Sequence, residues 1–473
     1  MPNTTPPKLT PIVHPWIKEI TSDFLLINSW LDNYGSPINL LNIHPFRQNY
    51  QRYNDMFSRY RLNSTVFFAR KANKGKCFVK AAKECGFGVD TASLNEMKEC
   101  IELGLSPEKI TVTAAVKNRE LLGYAITNRI PVIVDNWDEC DLLHQLLVDM
   151  NRTLQVGFRV SGFEYGGEKL YSRFGFDSEE ICETITSTMG DSGKYHKFRY
   201  HGLHFHLNGY SIPQRAGALS QTLDVADALA NNGFRTRYID IGGGIVMNYL
   251  ASSEEWENFH KVLRDSLLTE VDEITFQKDP LGMVKVDNKL LGEPKVYPYY
   301  NEVFQDRFVE AILTTAKEGA PLYRHLIDRD IELRIEPGRS LLDQSGITIA
   351  RVAFRKKDAE GRTLVGLEMN RTQMFSSSAD YLLDPLFIPQ HPKPGSPTEV
   401  YFVGAYCLEQ ELILKRKISL PQYPEIGDLI CFVNTAGYMM HFYESEAHRF
   451  DLARNLVVEK TSGWQAFPDE EII

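Results

Sequence analysis

The sequence predicts an α/β chain, a (β/α)₈ TIM barrel followed by a mostly β C-terminal domain. Eight short β-prone runs alternate with amphipathic stretches between Thr65 and Glu336. Strand alternating with helix implies parallel pairing, and eight such units fit a closed barrel of roughly 250 residues. After about residue 345 the helical periodicity stops, and short strands follow one another between Gly404, Pro421, Pro424 and Gly427. The competing architecture is an open doubly wound sheet, but its GxGxxG signature does not follow the first strand.

Taken in order, the expected barrel strands are residues 65–70, 87–90, 110–113, 132–135, 154–160, 203–206, 238–241 and 332–336. Helices are expected between them. Ser93-Leu94-Asn95-Glu96 has the form of a capping box and opens a helix that Gly104 stops. Residues 118–128, 137–150 and 215–231 carry apolar side chains at three- and four-residue spacing. The last two barrel strands are separated by a long segment with helices expected at 253–268 and 301–318. Between these, residues 269–300 hold Pro280, Gly282, Gly292, Pro294 and Pro298, an insertion whose length marks a lid, a dimer arm or a surface flap. Strands of the second domain are expected at 347–354, 364–367, 399–403, 412–418, 428–433 and 456–459. The barrel domain then spans 43–345, with 12–42 and 346–473 forming the mostly β domain.

Composition narrows the function classes. The chain has 473 residues, 43% apolar and 24% charged, the balance of an ordinary globular enzyme. Its 52 basic and 62 acidic residues leave a net charge of −10. Nucleic-acid and anionic-membrane binders carry a basic excess, so neither partner is expected. No apolar run approaches the ~20 residues of a membrane span. Residues 1–11 are rich in proline and threonine without an apolar core, unlike a secretory signal. The seven cysteines are odd in number and none is spaced CxxC, which suits free thiols in a reducing compartment and no metal site. A cytoplasmic enzyme is expected.

In a (β/α)₈ barrel, catalytic residues gather at the C-terminal ends of the strands. Lys71 follows the first strand, His204 and His206 end the sixth, Asp240 ends the seventh, and Glu336-Pro337-Gly338-Arg339 follows the eighth. Gly242, Gly243 and Gly244 present successive backbone N–H groups with no Cβ in the way, a cradle for a phosphate. Alone they are a flexible turn; beside Arg339, a bidentate donor to phosphate, the cradle is favoured. A lysine at a strand end inside a concave mouth is set to be a neutral amine that forms Schiff bases. The alternative is a surface lysine in a basic loop with Arg70, Lys74 and Lys76. Lysine, phosphate cradle and carboxylate together describe a pyridoxal phosphate site. Glu336 then holds the pyridine nitrogen protonated, and His206 stacks on the ring instead of serving as a core histidine.

These residues also resemble a known family. Phe67-Phe68-Ala69-Arg70-Lys71-Ala72-Asn73 is similar to the YAxKAN motif of the fold-type III pyridoxal phosphate decarboxylases, which include the diaminopimelate and ornithine decarboxylases. Gly88-Val89-Asp90-Thr91-Ala92-Ser93 resembles GxDxAS, and Arg173-Phe174-Gly175 resembles KFG. Val403-Gly404-Ala405-Tyr406-Cys407 is similar to GPxC, and Gly427-Asp428 and Ala436-Gly437-Tyr438 to GD and GAY. The resemblance implies an alanine racemase-like fold with pyridoxal 5'-phosphate as cofactor. It implies that Lys71 carries the cofactor, His206 stacks on it, Gly242, Gly243, Gly244, Gly338, Arg339 and Tyr438 hold its phosphate, and Glu336 pairs with its ring nitrogen. It further implies a homodimer with shared active sites, in which Cys407 returns a proton to the substrate.

Departures from the family pattern bear on the substrate. Asn208-Gly209 stands where the family often has Gly-Ser. Leu408 follows the cysteine where ornithine and diaminopimelate decarboxylases carry an acidic residue, with Glu409 and Glu411 beyond it. The specificity elements are expected within residues 368–388, where Arg371 or Tyr381 would bind a carboxylate, and Arg173 joins the substrate-binding set. A buried cationic amine without a counterion is costly, so simple diamino acids are expected to be poor substrates. The expected reaction is decarboxylation of a modified or non-standard α-amino acid from a siderophore-like or other secondary-metabolite pathway. The alternatives are a diaminopimelate decarboxylase using Glu409, an amino-acid racemase or epimerase, and a catalytically dead regulatory homologue.

Overall fold

Burial of alternating apolar side chains shapes the barrel. The computed structural model describes residues 6–190, 192–269, 271–376 and 381–472. The first five residues and residues 377–380 of the expected specificity segment lie outside the described residues. Two compact units are present. Arg47–Val246 and Val303–Leu341 form the barrel; residues up to Phe46, Met247–Glu302 and Leu342–Ile472 form a β-rich unit. Of the segment between the seventh and eighth barrel strands, residues 247–302 are thus part of the β-rich unit.

The barrel strands are β1 (Ser64–Ala69), β2 (Gly88–Thr91), β3 (Ile110–Val112), β4 (Val132–Val134), β5 (Leu154–Ser161), β6 (Phe198–His204), β7 (Tyr238–Asp240) and β8 (Glu332–Ile335). All pair in parallel in chain order. Pairing of β5 with β6, from Leu154↔Phe198 to Arg159↔His204, continues the same cycle, so the sheet closes on itself. Short strands of Val, Ile and Phe suit a sheet buried on both faces. Inside the barrel the ring of Tyr238 fills the space left by two glycines: a Cβ on Gly157 would strike its hydroxyl, and one on Gly202 would lie 2.6 Å from its carbonyl oxygen. Arg334 stacks 3.7 Å over the same ring and pairs with Glu332 at 2.8 Å.

The helix beginning at Leu94 is capped by Ser93, whose hydroxyl accepts from the Glu96 N–H at 3.2 Å. Glu96 reaches back one residue further than a reciprocal capping box, to the Ala92 N–H at 2.6 Å. Three local expectations are corrected. The sixth strand begins at Phe198 and ends at His204, so His206 lies in the following loop. The helix expected over 301–318 is confined to Gln305–Thr314, because the chain turns through a hairpin pairing Ala316–Lys317 with Ala320–Pro321. The strand expected over 412–418 is Ile418–Leu420, preceded only by the isolated bridges Val403↔Leu412 and Thr275↔Arg416.

In the β-rich unit, Ile38–Leu41 pairs antiparallel to Gly346–Lys357 and parallel to Arg454–Lys460. Ile38–Leu41, Leu386–Ile388 and Trp464–Pro468 are strands the sequence reading left unassigned. The inserted segment is anchored here. Glu273 takes Arg362 at 2.5 and 3.2 Å and the Tyr401 hydroxyl at 3.0 Å, and the Phe276 N–H donates to the Lys415 carbonyl at 2.8 Å. Among the described residues no helix is long and apolar enough to cross a membrane.

Candidate active site

The C-terminal ends of the barrel strands converge on a cluster of charged side chains. Asp90 lies in β2, one residue from its end, and Asp135 directly follows β4. Arg159, His204 and Asp240 lie side by side in β5, β6 and β7, with His204 in register with both neighbours. Glu336 directly follows β8. Lys71 sits in the single turn Arg70–Ala72 after β1. The turn is braced by the buried Arg70, which pairs with Glu99 and donates to the Lys74 carbonyl at 3.2 Å. The Ala69 N–H, just before it, donates to the Pro337 carbonyl at 3.3 Å, tying the loop of Lys71 to that of Glu336.

The charges are unequal in kind. Lys71 Nζ lies 3.6 Å from Asp90 Oδ2, with the lysine side chain 34% exposed and the aspartate 1%. Burial, with Glu336 adding repulsion, raises the Asp90 pKa to about 7, although the Thr113 hydroxyl donates to it at 2.5 Å. Asp240 is pushed well above its usual range by burial and by Glu336. Burial also opposes ionisation of Glu336, but the His204 ring beside it and the Lys71 charge outweigh that and bring its pKa down to about 2. Of three crowded carboxyl groups, Glu336 is therefore the one that ionises most readily. His204 Nε2 stands 3.2 Å from Glu336 Oε1, and burial lowers the pKa of this histidine too. His204, Asp240 and Glu336 each offer a buried ligand atom within 4.8 Å of the others.

The glycine run closes the mouth on the β7 side. The Gly242 N–H donates to Asp240 Oδ1 at 2.9 Å, and the Gly242 carbonyl accepts from the Glu336 N–H at 2.9 Å. Gly242 and Gly244 have φ of +68° and +70°. A Cβ on Gly242 would stand 2.7 Å from His206 Nδ1, and one on Gly243 2.5 Å from the Glu336 carbonyl oxygen. Only glycine fits this approach. Gly338 is buried and Arg339 half-buried on the loop after Glu336.

The sequence-derived residues divide between the two units. Lys71, His206, Gly242, Gly243, Gly244, Glu336, Gly338 and Arg339 belong to the barrel, as does Arg173, exposed and stacked 3.8 Å over Phe174. Cys407, Leu408, Glu409, Arg371, Tyr381 and Tyr438 belong to the β-rich unit. There, Arg371, Tyr381 and Glu409 line one cavity of about 460 Å³ with Phe276, Phe375 and Lys415, so part of its wall comes from the insertion. The Tyr381 hydroxyl donates to the Val433 carbonyl at 2.8 Å, and Arg371 Nη1 donates to the Gln410 carbonyl at 3.0 Å. Glu411 is buried and accepts the Arg371 N–H at 2.8 Å. Cys407 is exposed, whereas Cys77, Cys100, Cys140 and Cys431 are buried. Tyr438 is half-buried with a left-handed φ of +73°, an uncommon backbone state for a bulky residue.

Sequence reading passed over Asp90, Arg159 and Arg215. Asp90 and Arg159 follow from the strand-end rule applied to every strand. Arg215 is signalled by a basic residue in the first turn of a helix, where the dipole disfavours it.

Comparison with known proteins places this geometry. The family model described as "Pyridoxal-dependent decarboxylase, pyridoxal binding domain" matches residues 44–282. The uncharacterised protein y4yA of Sinorhizobium fredii is 26% identical over 95% of this chain and 94% of its own length. The diaminopimelate decarboxylase of Bacillus subtilis is 25% identical over 86% of this chain and 83% of its own. Among solved structures, diaminopimelate decarboxylase from Helicobacter pylori complexed with L-lysine superimposes with a TM-score of 0.67 at 16% identity, covering 93% of this chain and 95% of that one. Lysine decarboxylase from Selenomonas ruminantium gives 0.65 at 16% identity, covering 91% and 94%.

The residues present fit pyridoxal phosphate. Glu336 Oε1, ionised and buried, has His204 Nε2 at 3.2 Å but makes no well-aligned hydrogen bond among the described residues, which leaves it able to take a protonated ring nitrogen. The glycine run lets the backbone pack against His206, the Glu336 carbonyl and Arg215 more closely than any residue with a Cβ could, which suits the tight loop that such a phosphate needs. Barrel, strand-end lysine, buried ionised glutamate and tight glycine loop agree with the matched sequence model: the chain belongs to the pyridoxal-dependent decarboxylases, enzymes whose cofactor is pyridoxal phosphate.

Proposed function

We propose that the protein decarboxylates a modified or non-standard α-amino acid, of the kind built in siderophore-like or other secondary metabolism, and does so as a cytoplasmic homodimer with shared active sites. The observation that carries the decarboxylase reading is Glu336, the buried carboxyl group after β8 whose pKa is brought down to about 2 while those of Asp90 and Asp240 are raised. The cofactor supplies an electron sink for the pair left when the α-carboxylate departs. Glu336 strengthens the sink by holding a proton on the ring nitrogen. Lys71 anchors the cofactor and, with Asp90 at 3.6 Å, has a carboxyl group at hand to exchange a proton with its amine. His206 covers one ring face. Gly244, Gly338, Arg339 and Tyr438 bind phosphate, whereas the N–H groups of Gly242 and Gly243 are taken by Asp240 and His206 and hold the shape of the loop. Cys407 returns a proton to the α-carbon, a role its exposed thiol permits.

The substrate reading rests on Leu408, 53% exposed where an acidic residue would meet a distal amine. Arg371, Tyr381 and Glu409, on one cavity, and Arg173 are the substrate-binding candidates. A cavity with both Arg371 and Glu409 suits a side chain ending in an amide or a zwitterion more than a bare ammonium. Diaminopimelate is the second reading, favoured by Glu409 and by relatives named for that activity. A carbon dioxide release assay with purified holoenzyme separates them. The panel is meso-diaminopimelate, L-lysine, L-ornithine, and N-acylated and citryl-linked diamino acids. Release from the acylated or citryl-linked compounds is expected; efficient turnover of diaminopimelate would replace the substrate reading, and inverted amino acid without carbon dioxide would replace the reaction.

A further inference from the structure

Arg215 occupies an electrostatically adverse place. It lies in the first turn of the helix Ile212–Asn231, where the helix dipole already presents positive charge. Its side chain is buried, with 2% of the residue exposed. Among the described residues no carboxylate pairs with it; its electrostatic neighbour is the Tyr210 hydroxyl. Burial lowers its pKa to about 10, which leaves it cationic at neutral pH. A buried cation with no protein counterion is expensive, so a nearby anion would lower the cost of holding Arg215 in place.

Its donors are turned onto backbone carbonyls of two loops at the barrel mouth. Nη1 donates to the Gly243 carbonyl at 2.8 Å, and Nη2 donates to the Leu207 and Gly209 carbonyls at 2.8 and 2.9 Å. Nη2 also abuts Gly244, where a Cβ would collide with it. Each of these carbonyls belongs to a peptide unit whose N–H is that of the next residue: Gly244, Asn208 and Tyr210. A hydrogen bond from a cation to the carbonyl polarises the whole peptide and strengthens its N–H as a donor. The guanidinium thus both fixes two loops and sharpens their N–H groups.

We propose that Arg215 is the buried countercharge and positioning residue for the cofactor phosphate, acting through the peptide units 207–208, 209–210 and 243–244 without touching the phosphate. This rests on the pyridoxal phosphate assignment and is independent of which substrate is decarboxylated. The test titrates cofactor-free protein with pyridoxal phosphate and, separately, with pyridoxal, which lacks the phosphate. Binding is followed by cofactor absorbance. R215M is expected to weaken pyridoxal phosphate by roughly 10- to 100-fold, the range of a charge-assisted hydrogen bond, and pyridoxal by less than about twofold. R215Q, which keeps a donor but no charge, should resemble R215M, and R215K should recover most of the affinity. The phosphorus resonance of bound cofactor should stay that of a dianion across neutral pH in the native protein and begin to titrate in R215Q. Equal weakening of both ligands, or unchanged phosphate affinity in R215Q, would overturn the proposal. If R215M does not fold, the contrast between R215Q and R215K decides the same question. Failure of the native protein to bind pyridoxal phosphate at all would instead strike the cofactor assignment.

Discussion

Gly243 donates its backbone N–H to Nδ1 of His206 at 3.1 Å. An accepting Nδ1 is unprotonated, so the neutral ring carries its proton on Nε2. The same bond sets the plane of the imidazole against the glycine cradle. Burial, with the charges of Lys71 and Arg215, keeps the ring's pKa well below its usual value, so it stays neutral. His206 is therefore a flat, uncharged surface at the barrel mouth.

This tautomer is directly observable. In protein labelled with ¹⁵N-histidine, the Nδ1 of His206 should show an unprotonated shift that stays constant from pH 5.5 to 8, roughly the interval in which an ordinary histidine titrates. A change with a midpoint near the usual histidine value would contradict the assignment.

Glu336→Gln retains shape and removes charge. Carbon dioxide release should fall at least ~100-fold, the scale of losing one well-placed electrostatic or acid–base group, while cofactor affinity changes far less. Because the Glu336 pKa is lowered to about 2, the native enzyme should show no loss of rate from Glu336 protonation above about pH 4. A variant with native turnover would remove Glu336 from the chemistry.

Asp90 makes stability depend on pH. Its pKa rises from 3.8 to about 7 on folding. Between these values the folded protein holds a proton that the unfolded chain has released. Its contribution to stability therefore declines as pH rises from about 4 to about 7 and is level above. In Asp90→Asn the cofactor-free protein should lose that part of the slope, as read from thermal midpoints across the interval. An identical slope in both proteins would show that Asp90 titrates normally.

The inserted segment should loosen when its anchor is cut. Arg362 and Glu273 are 13% and 17% exposed, and Tyr401 bonds the same carboxylate. Glu273→Gln should cost about 1–3 kcal/mol locally, the range for hydrogen bonds to charged groups. Hydrogen exchange should accelerate in the segment around residues 273–300, with the barrel strands unaffected. Uniform acceleration would mean the anchor supports the whole unit.

Much of the site was legible because strand-end chemistry is local in sequence. Lys71, Gly242, Gly243, Gly244 and Glu336 each stand within three residues of the end of a β-prone run, so the barrel rule alone collects them. His206 was placed at the same mouth but assigned to the strand, since alternation of His204, Phe205 and His206 looks like continued pleating. Its true position after the strand's end lets it meet the Gly243 N–H. The strand expected over 412–418 failed because the apolar residues there, Ile413 and Leu414, are buried without a sheet ladder.

By itself the sequence determined the barrel, the second β-rich region and the set of residues able to hold a phosphate and an amine, because periodicity and residue chemistry are carried by neighbours in the chain. Only the tertiary structure decided which carboxyl group is charged, why Arg215 is buried beneath the glycine run, and that the insertion belongs with the β-rich unit. Those outcomes depend on desolvation and on charges brought together from β2, β6, β7 and β8, distances that no spacing along the chain records.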